Sequence, residues 1–288
     1  MVAGLIKDAG MRIHTPPGIV RTSLIRVPPF ASIVKDLLHA LADTVVRAVN
    51  SLDGDPGAVT GTGASGSPTQ AIDKAAEDAV LRHLDASGSD LNVLSEEAGF
   101  LDRGGTRTLV VDPVDGTYNA IRHIPLYATS LAVGDDRLST VTHALVRNLA
   151  TGDTYYAERG AGAFRNGSRV RTRPYEAMDA LVSVYLGRFA QPESYDVARA
   201  ARRVRSLGSA ALDLCAVASG ATDLYYLNTR EEARLRVIDI AAGVLLVREA
   251  GGFVAVPEDV RELDLPFTLK ARTNLVAVGD RKALAVLP

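Results

Sequence analysis

The run Thr108-Leu109-Val110-Val111-Asp112-Pro113-Val114-Asp115-Gly116-Thr117 constrains this chain more than any other. A β-favouring stretch leads straight into two aspartates three positions apart, with a proline between them and a glycine behind. Pro113 withdraws a backbone donor and fixes its own φ, so the strand is expected to end there in a sharp turn that aims both carboxylates at one point. Gly116 permits close approach of the backbone to a ligand. The amides of Gly116 and Thr117 would cradle a phosphate if a helix or turn begins there. Taken alone, two aspartates around a proline also describe an ordinary turn.

Two further acidic elements share this character. Ser95-Glu96-Glu97-Ala98-Gly99 follows another apolar stretch, and Val237-Ile238-Asp239-Ile240-Ala241-Ala242-Gly243 isolates one acid among apolar residues. Burying such an aspartate is costly unless it is paired or metal-bound. A helix N-cap is the competing role for Asp239.

The rest of the chain reads as mixed α and β. Val34, Leu37, Leu38, Leu41, Val45, Val46 and Val49 follow helical spacing, predicting an amphipathic helix over 33–49 that residues 50–57 stop. Residues 57–68, loaded with Gly, Ser and Thr, read as a mobile loop. Thr69 reads as the N-cap of a second helix with the apolar face Ile72, Ala76, Ala79, Val80 and Leu84, which puts Asp73 near its start. Short strands are expected at 91–94, 108–111, 127–133, 142–149 and 153–158, with a hairpin at Asn166-Gly167.

The second half then alternates a strand at 181–185, helices at 192–204 and 210–219, a strand at 224–227, a helix at 239–249, and strands at 253–256 and 274–278. The expected division is an extension over 1–30, an α+β unit over 31–150 carrying most of the acidic residues, and an α/β unit over 151–288 carrying Asp239.

Composition narrows the partners. Lys plus Arg total 32 against 34 for Asp plus Glu, so no positive excess draws the chain to nucleic acid or to a membrane surface. Any anionic substrate must be captured locally. The lone Cys215 excludes an intrachain disulfide and leaves a zinc cluster without ligands. No run approaches the roughly 20 apolar residues of a membrane span. Lys7, Asp8 and Arg12 break what apolar run the first residues have, so no signal peptide is read and a cytoplasmic location is expected. The histidines are scattered without ligand spacing and receive no catalytic role.

Four linked elements carry a family resemblance. They are Thr69-Gln70-Ala71-Ile72-Asp73, Ser95-Glu96-Glu97, Asp112 to Thr117, and Asp239-Ile240-Ala241-Ala242-Gly243 with Glu249-Ala250-Gly251-Gly252. In order and spacing the chain resembles the inositol monophosphatase family over roughly residues 31–285, closest to its archaeal inositol monophosphatase/fructose-1,6-bisphosphatase branch. Ile124-Pro125-Leu126-Tyr127 and Leu207-Gly208-Ser209-Ala210-Ala211 add to the likeness. The resemblance implies an α/β fold, the layered αβαβα sandwich of the sugar-phosphatase type, and a homodimer.

It also implies an activity: Mg²⁺-dependent hydrolysis of inositol 1-phosphate, fructose 1,6-bisphosphate or both, by direct attack of water activated by two or three ions, with Mn²⁺ able to substitute. Glu96, Asp112, Asp115 and Asp239 and the Val114 carbonyl would be the metal ligands. Asp73 and Thr117 would position and activate the water beside Glu96, with Asp115, Gly116 and Thr117 at the phosphate. The residues agree with this physically. Converging carboxylates repel by up to about 4 kcal/mol per close pair at an effective dielectric of about 20, which divalent cations relieve. An all-oxygen site favours Mg²⁺ or Mn²⁺ over zinc.

Substrate contacts are less determined. Where animal relatives place an inositol-binding Glu, this chain has Leu227 followed by Asn228-Thr229-Arg230, so that contact does not transfer. Arg230, Arg234 and Arg236 offer guanidinium groups to a second phosphate, or form a solvated loop. Ser209 and Ala210 line the pocket by resemblance, or are small for helix packing. Ser65 stands where archaeal relatives often carry an acid, which bears on the third ion. Two rival readings remain: a 3′-phosphoadenosine 5′-phosphate phosphatase sharing the metal motifs, and an inactive metal-binding regulatory homologue.

Overall fold

The computed structural model describes residues 30–231 and 234–288, with Phe30 and Ala31 described by their backbone alone. The extension expected over 1–30 therefore lies, but for its last residue, outside the described residues. Helix α1 (Phe30–Asn50) is followed by a hairpin of β1 (Val59–Thr62) and β2 (Pro68–Gln70) and by α2 (Ala71–Ser87). Then come β3 (Asn92–Ser95), β4 (Gly99–Leu101), β5 (Thr108–Asp115) and the short α3 (Thr117–Ile121). A meander follows through β6 (Ala128–Gly134), β7 (His143–Asn148), β8 (Thr154–Glu158), β9 (Gly162–Arg165) and β10 (Ser168–Val170).

The remainder runs β11 (Leu181–Val184), α4 (Pro192–Ala200), β12 (Arg203–Arg205), α5 (Ala210–Ala218) and β13 (Leu224–Leu227). It ends with α6 (Val237–Glu249), β14 (Phe253–Ala255) and β15 (Leu275–Val278). Among the described residues no helix is long and apolar enough to cross a membrane.

Eight strands form one sheet in the order β10-β9-β8-β7-β6-β5-β3-β4, antiparallel except where β3 runs parallel to β5. Five form a second sheet, β12-β11-β13-β15-β14. Alternation along the strands sorts the core. Val93, Leu109, Val111, Leu131 and Leu145 face α1 and α2, while their neighbours Leu94, Val110, Ala132 and Val146 face α5 and α6. The second sheet does the same: Tyr225, Leu227 and Ala277 turn toward α5 and α6, and Leu224, Tyr226 and Val276 toward Val197 of α4 and Ala283. The layers are therefore helix, sheet, helix, sheet, helix, as expected. Every residue of α6 from Val237 to Val247 is buried, as a helix sandwiched between two sheets requires.

Several local expectations change. The boundary expected at residue 150 falls inside the large sheet, because β7 pairs directly with β8 and the sheet continues to Val170. The Gly-rich loop contains an antiparallel hairpin, β1 with β2. Thr69 sits in β2 and does not cap α2; the N-cap is Gln70, without a side-chain hydrogen bond. The helix expected over 192–204 ends at Ala200, and Arg203 to Arg205 form a parallel edge strand beside β11. The hairpin at Asn166-Gly167 forms as expected, both residues taking positive φ (50° and 79°) between β9 and β10.

Gly243 shows how closely the two middle helices approach. A Cβ there would lie 2.4 Å from Leu214 Cδ1 and 2.6 Å from its Cβ. Alanine in a helix ordinarily gains up to about 1 kcal/mol over glycine. Overpacking against a buried neighbour costs about 1–3 kcal/mol and wins here. Gly243→Ala is expected to lower the denaturant midpoint, measured by urea unfolding followed by circular dichroism. A variant as stable as the parent would show that α5 and α6 can move apart freely.

Candidate active site

The strand β5 does not stop at Pro113. Asp112 pairs with Ser130 and Asp115 with Ala128, so an extra residue is accommodated in a bulge. A bulge spares the ladder the donor that proline lacks. The consequence matches the expectation even though the turn does not: both aspartates face one cavity. Gly116 then takes φ 86° and starts α3. A side chain at Gly116 would meet the carbonyls of Leu126 at 3.0 Å and Gly208 at 3.2 Å, so both conformation and space demand glycine.

The cavity, about 300 Å³, lies at the C-terminal end of β5 and between the two sheets. Glu96, Asp112, Val114, Asp115, Gly116, Thr117 and Asp239 all line it, as do Ser209, Ala210, Asp213 and Arg236. Four elements distant in sequence thus deliver their acids to one space. Asp73, at the start of α2, joins through Thr117, whose Oγ1 lies 3.0 Å from Asp73 Oδ1 and 3.0 Å from the Val114 carbonyl.

Each carboxylate is held by backbone or side-chain donors. Asp112 Oδ1 accepts from Val114 N at 3.1 Å. Asp115 Oδ2 accepts from Ala211 N at 2.8 Å and from Ser209 Oγ, which tethers β5 to the start of α5. Ser209 is itself the N-cap of α5, accepting from Leu212 N at 3.3 Å. Its hydroxyl is committed to this tether, which the sequence reading of Ser209 as a substrate contact did not foresee. Asp239 occupies the third position of α6 and is not its N-cap; its Oδ2 accepts from Arg236 N at 2.7 Å. The guanidinium of Arg236 donates to both oxygens of Glu96, Nη2 to Oε2 at 2.7 Å, and to Asp239 Oδ1 at 3.3 Å.

Burial dominates the electrostatics. Asp112 is held well above the usual carboxylate range by burial and then by the neighbouring Asp115, Asp239 and Glu96. Burial pushes Asp115 up to about 7 against its hydrogen bonds from Ser209 and Ala211. Asp239 is raised by burial, with Arg236 opposing. Asp73 is raised to about 7 by burial, against the Thr117 hydrogen bond. A cavity that raises so many acids together is short of positive charge.

The donor set tests whether a divalent ion fits. Glu96, Asp112, Asp115, Asp239 and Val114 line one cavity, and the oxygens they can offer suit Mg²⁺ or Mn²⁺. Among the described residues no three acidic, His or Cys side chains are already grouped around one cation position. The position between Glu96 and Asp239 is taken by the guanidinium of Arg236, itself a cation. The site is therefore one that demands a cation, by charge and by chemistry.

The Gly-rich loop docks on the same acids. Ala64 N donates to the Glu97 carbonyl at 2.9 Å, Ser65 N to the Glu96 carbonyl at 3.2 Å, and Ser65 Oγ to Glu96 Oε1 at 3.2 Å. Arg230 is exposed and is not among the cavity's lining residues, so the structure does not bring this expected substrate contact to the site. Leu227 does line it. Asp213, which the sequence reading passed over, lines the cavity, takes a hydrogen bond from Ser183 Oγ, and is pushed up to about 7 by burial. Its signal was the one used for Asp239, a lone acid between Leu212 and Leu214.

Comparisons with known proteins bear on this geometry. Residues 32–286 match the sequence model described as the inositol monophosphatase family. The chain is 41% identical over 264 residues to a fructose-1,6-bisphosphatase/inositol-1-monophosphatase of Methanothermobacter thermautotrophicus, covering 85% of this chain and 92% of that protein. It is 36% identical over 242 residues to a bifunctional NADP phosphatase/NAD kinase of Methanococcus maripaludis, covering 76% of this chain and 42% of that protein. A solved inositol monophosphatase-fructose 1,6 bisphosphatase superposes with a TM-score of 0.76 at 26% identity, over 90% of this chain and 98% of that one.

Proposed function

This chain belongs to the inositol monophosphatase family and is a phosphatase of that type, and from that premise we propose that it hydrolyses inositol 1-phosphate, fructose 1,6-bisphosphate or both by direct attack of water. The observation that carries the proposal is the convergence of Glu96, Asp112, Asp115 and Asp239 on one cavity that also holds Gly116 and Thr117. These acids, with the Val114 carbonyl, would hold Mg²⁺, two or three ions in all. Bound there, Mg²⁺ supplies positive charge that lowers the pKa of the attacking water and stabilises the leaving oxygen.

The protein's own groups handle the proton. The Thr117 hydroxyl has one proton and two acceptors in reach, Asp73 Oδ1 and the Val114 carbonyl, each at 3.0 Å. It can donate to one at a time. When it donates to Val114, a proton on Asp73 completes the pair, and Asp73, raised to about 7, is poised to take that proton near neutrality. Thr117 thus passes to Asp73 the proton that the attacking water loses. Ser209 and Ala211 N–H hold Asp115 in place throughout. The main-chain N–H groups at the start of α3, around Gly116 and Thr117, are the donors suited to the phosphate oxygens.

The reading extends to a homodimer, on family likeness, and to a reducing cytoplasm, in keeping with a single buried Cys215. Ser65 beside Glu96 supplies a hydroxyl where an acid would attract a third ion, so two ions are favoured over three. Measuring phosphate release with Mg²⁺ from inositol 1-phosphate, fructose 1,6-bisphosphate, 3′-phosphoadenosine 5′-phosphate and NADP⁺ separates the substrate classes. Turnover is expected on one or both of the first two. Exclusive action on the adenine nucleotides would overturn the substrate assignment, and inactivity on all four would favour a regulatory homologue.

A further inference from the structure

Arg236 is the residue through which the site manages its charge. It immediately precedes α6, and its side chain is only 14% exposed, against 20% for Glu96. The guanidinium bridges both oxygens of Glu96, at the end of β3, and reaches Asp239 Oδ1 on α6. One cation in the cavity lining therefore ties the large sheet to the middle helix layer. A bidentate Arg–carboxylate pair is the strongest geometry this charge type offers, and partial burial shields it from solvent.

The oxygens that Arg236 engages are the ones assigned to the metal. A carboxylate lone pair aimed at a guanidinium N–H is not free for an ion, and two cations on the same pair of acids repel one another. We propose that Arg236 is a built-in counter-ion that competes with the divalent metal for Glu96 and Asp239. It is a positioning residue: in the metal-free protein it neutralises and holds these two acids, and metal binding displaces it. The inference rests on the reading of the acids as metal ligands. Three consequences follow from the geometry. Arg236 weakens metal affinity, it supports the metal-free fold, and a lysine in its place does less of both because one ammonium cannot bridge two carboxylates in fork geometry.

The test uses metal-stripped full-length protein, with Mn²⁺ as the probe in titration calorimetry and thermal melting in EDTA as a second readout. Arg236→Gln is expected to bind Mn²⁺ at least about tenfold tighter than the parent, given coupling energies measured for close charge pairs. In EDTA it should melt at a lower temperature, because Glu96 and Asp239 are left without a counter-charge. Saturating Mn²⁺ should recover that loss. Arg236→Lys should fall between the two in both readouts, and it carries the test if the glutamine variant does not fold. Unchanged or weaker Mn²⁺ binding in these variants, with the parent still binding Mn²⁺, overturns the role of Arg236 alone. A parent that binds no Mn²⁺ overturns the metal-site reading and this inference with it.

Discussion

Asp112→Asn and Asp239→Asn should each lower phosphate release by roughly a thousandfold or more, because each removes a carboxylate proposed to hold the divalent ion. Loss of activity should not come with loss of fold. Asp112 is 6% exposed and is held far above its ordinary pKa by burial and by Asp115, Asp239 and Glu96. Replacing it with a neutral amide of the same shape removes the cost of keeping an acid there, whether as a buried charge or by taking up a proton. The Asp112→Asn variant is therefore expected to melt in EDTA at or above the parent temperature while being nearly inactive in Mg²⁺. This combination marks a residue kept for function at a cost in stability. A variant that is both inactive and markedly less stable would instead make Asp112 a structural support, through its bond to Val114 N.

Removing the metal should make stability depend steeply on pH. Asp73, Asp115 and Asp213 are each pushed up to about 7 by burial. The same groups in an unfolded chain titrate near 3.9. Between about pH 4 and pH 7 the folded protein therefore binds more protons than the unfolded chain, and stability falls as pH rises through that window. In EDTA the melting temperature should drop by more than about 5 °C from pH 5.5 to pH 7.5, since each kcal/mol is worth roughly 2–4 °C in a chain of this size class. Mg²⁺ should reduce the drop by compensating Asp115, whereas Asp213, held by Ser183 and assigned no ion, should keep its share. Melting temperatures that rise with pH in EDTA would contradict the assignment of these buried acids.

The sequence was informative where strand periodicity runs into an acid. The continuous apolar run Leu109-Val110-Val111 made β5 visible, and Asp112 and Asp115 could be assigned to its end without any structure. Glu96 was legible as an acid following an apolar strand, and Asp239 as a lone charge that an apolar segment would not otherwise tolerate. Pro113 was misleading because a bulge satisfies a missing donor as well as a turn does. The hairpin of β1 and β2 was hidden by Gly, Ser and Thr, which report a flexible composition and not the docking of residues 63–65 on Glu96 and Glu97.

Tertiary partners decided the remainder. Arg203 and Val204 fall at the end of the helix expected over 192–204, yet β11 offers Arg203 to Arg205 an edge to pair with. Among the arginines near α6, charge alone gave no reason to separate Arg230 from Arg236. The structure places Arg236, at the start of α6, in the cavity lining and leaves Arg230 exposed.

Everything proposed for Glu96, Asp112, Asp115 and Asp239 meets in a single titration: phosphate release from inositol 1-phosphate and fructose 1,6-bisphosphate by metal-stripped protein as Mg²⁺ is returned. No release is expected in EDTA, with saturable recovery as Mg²⁺ is added and none in Asp112→Asn. Release that persists after stripping, or that never appears at saturating Mg²⁺, would contradict a reaction built on these four acids.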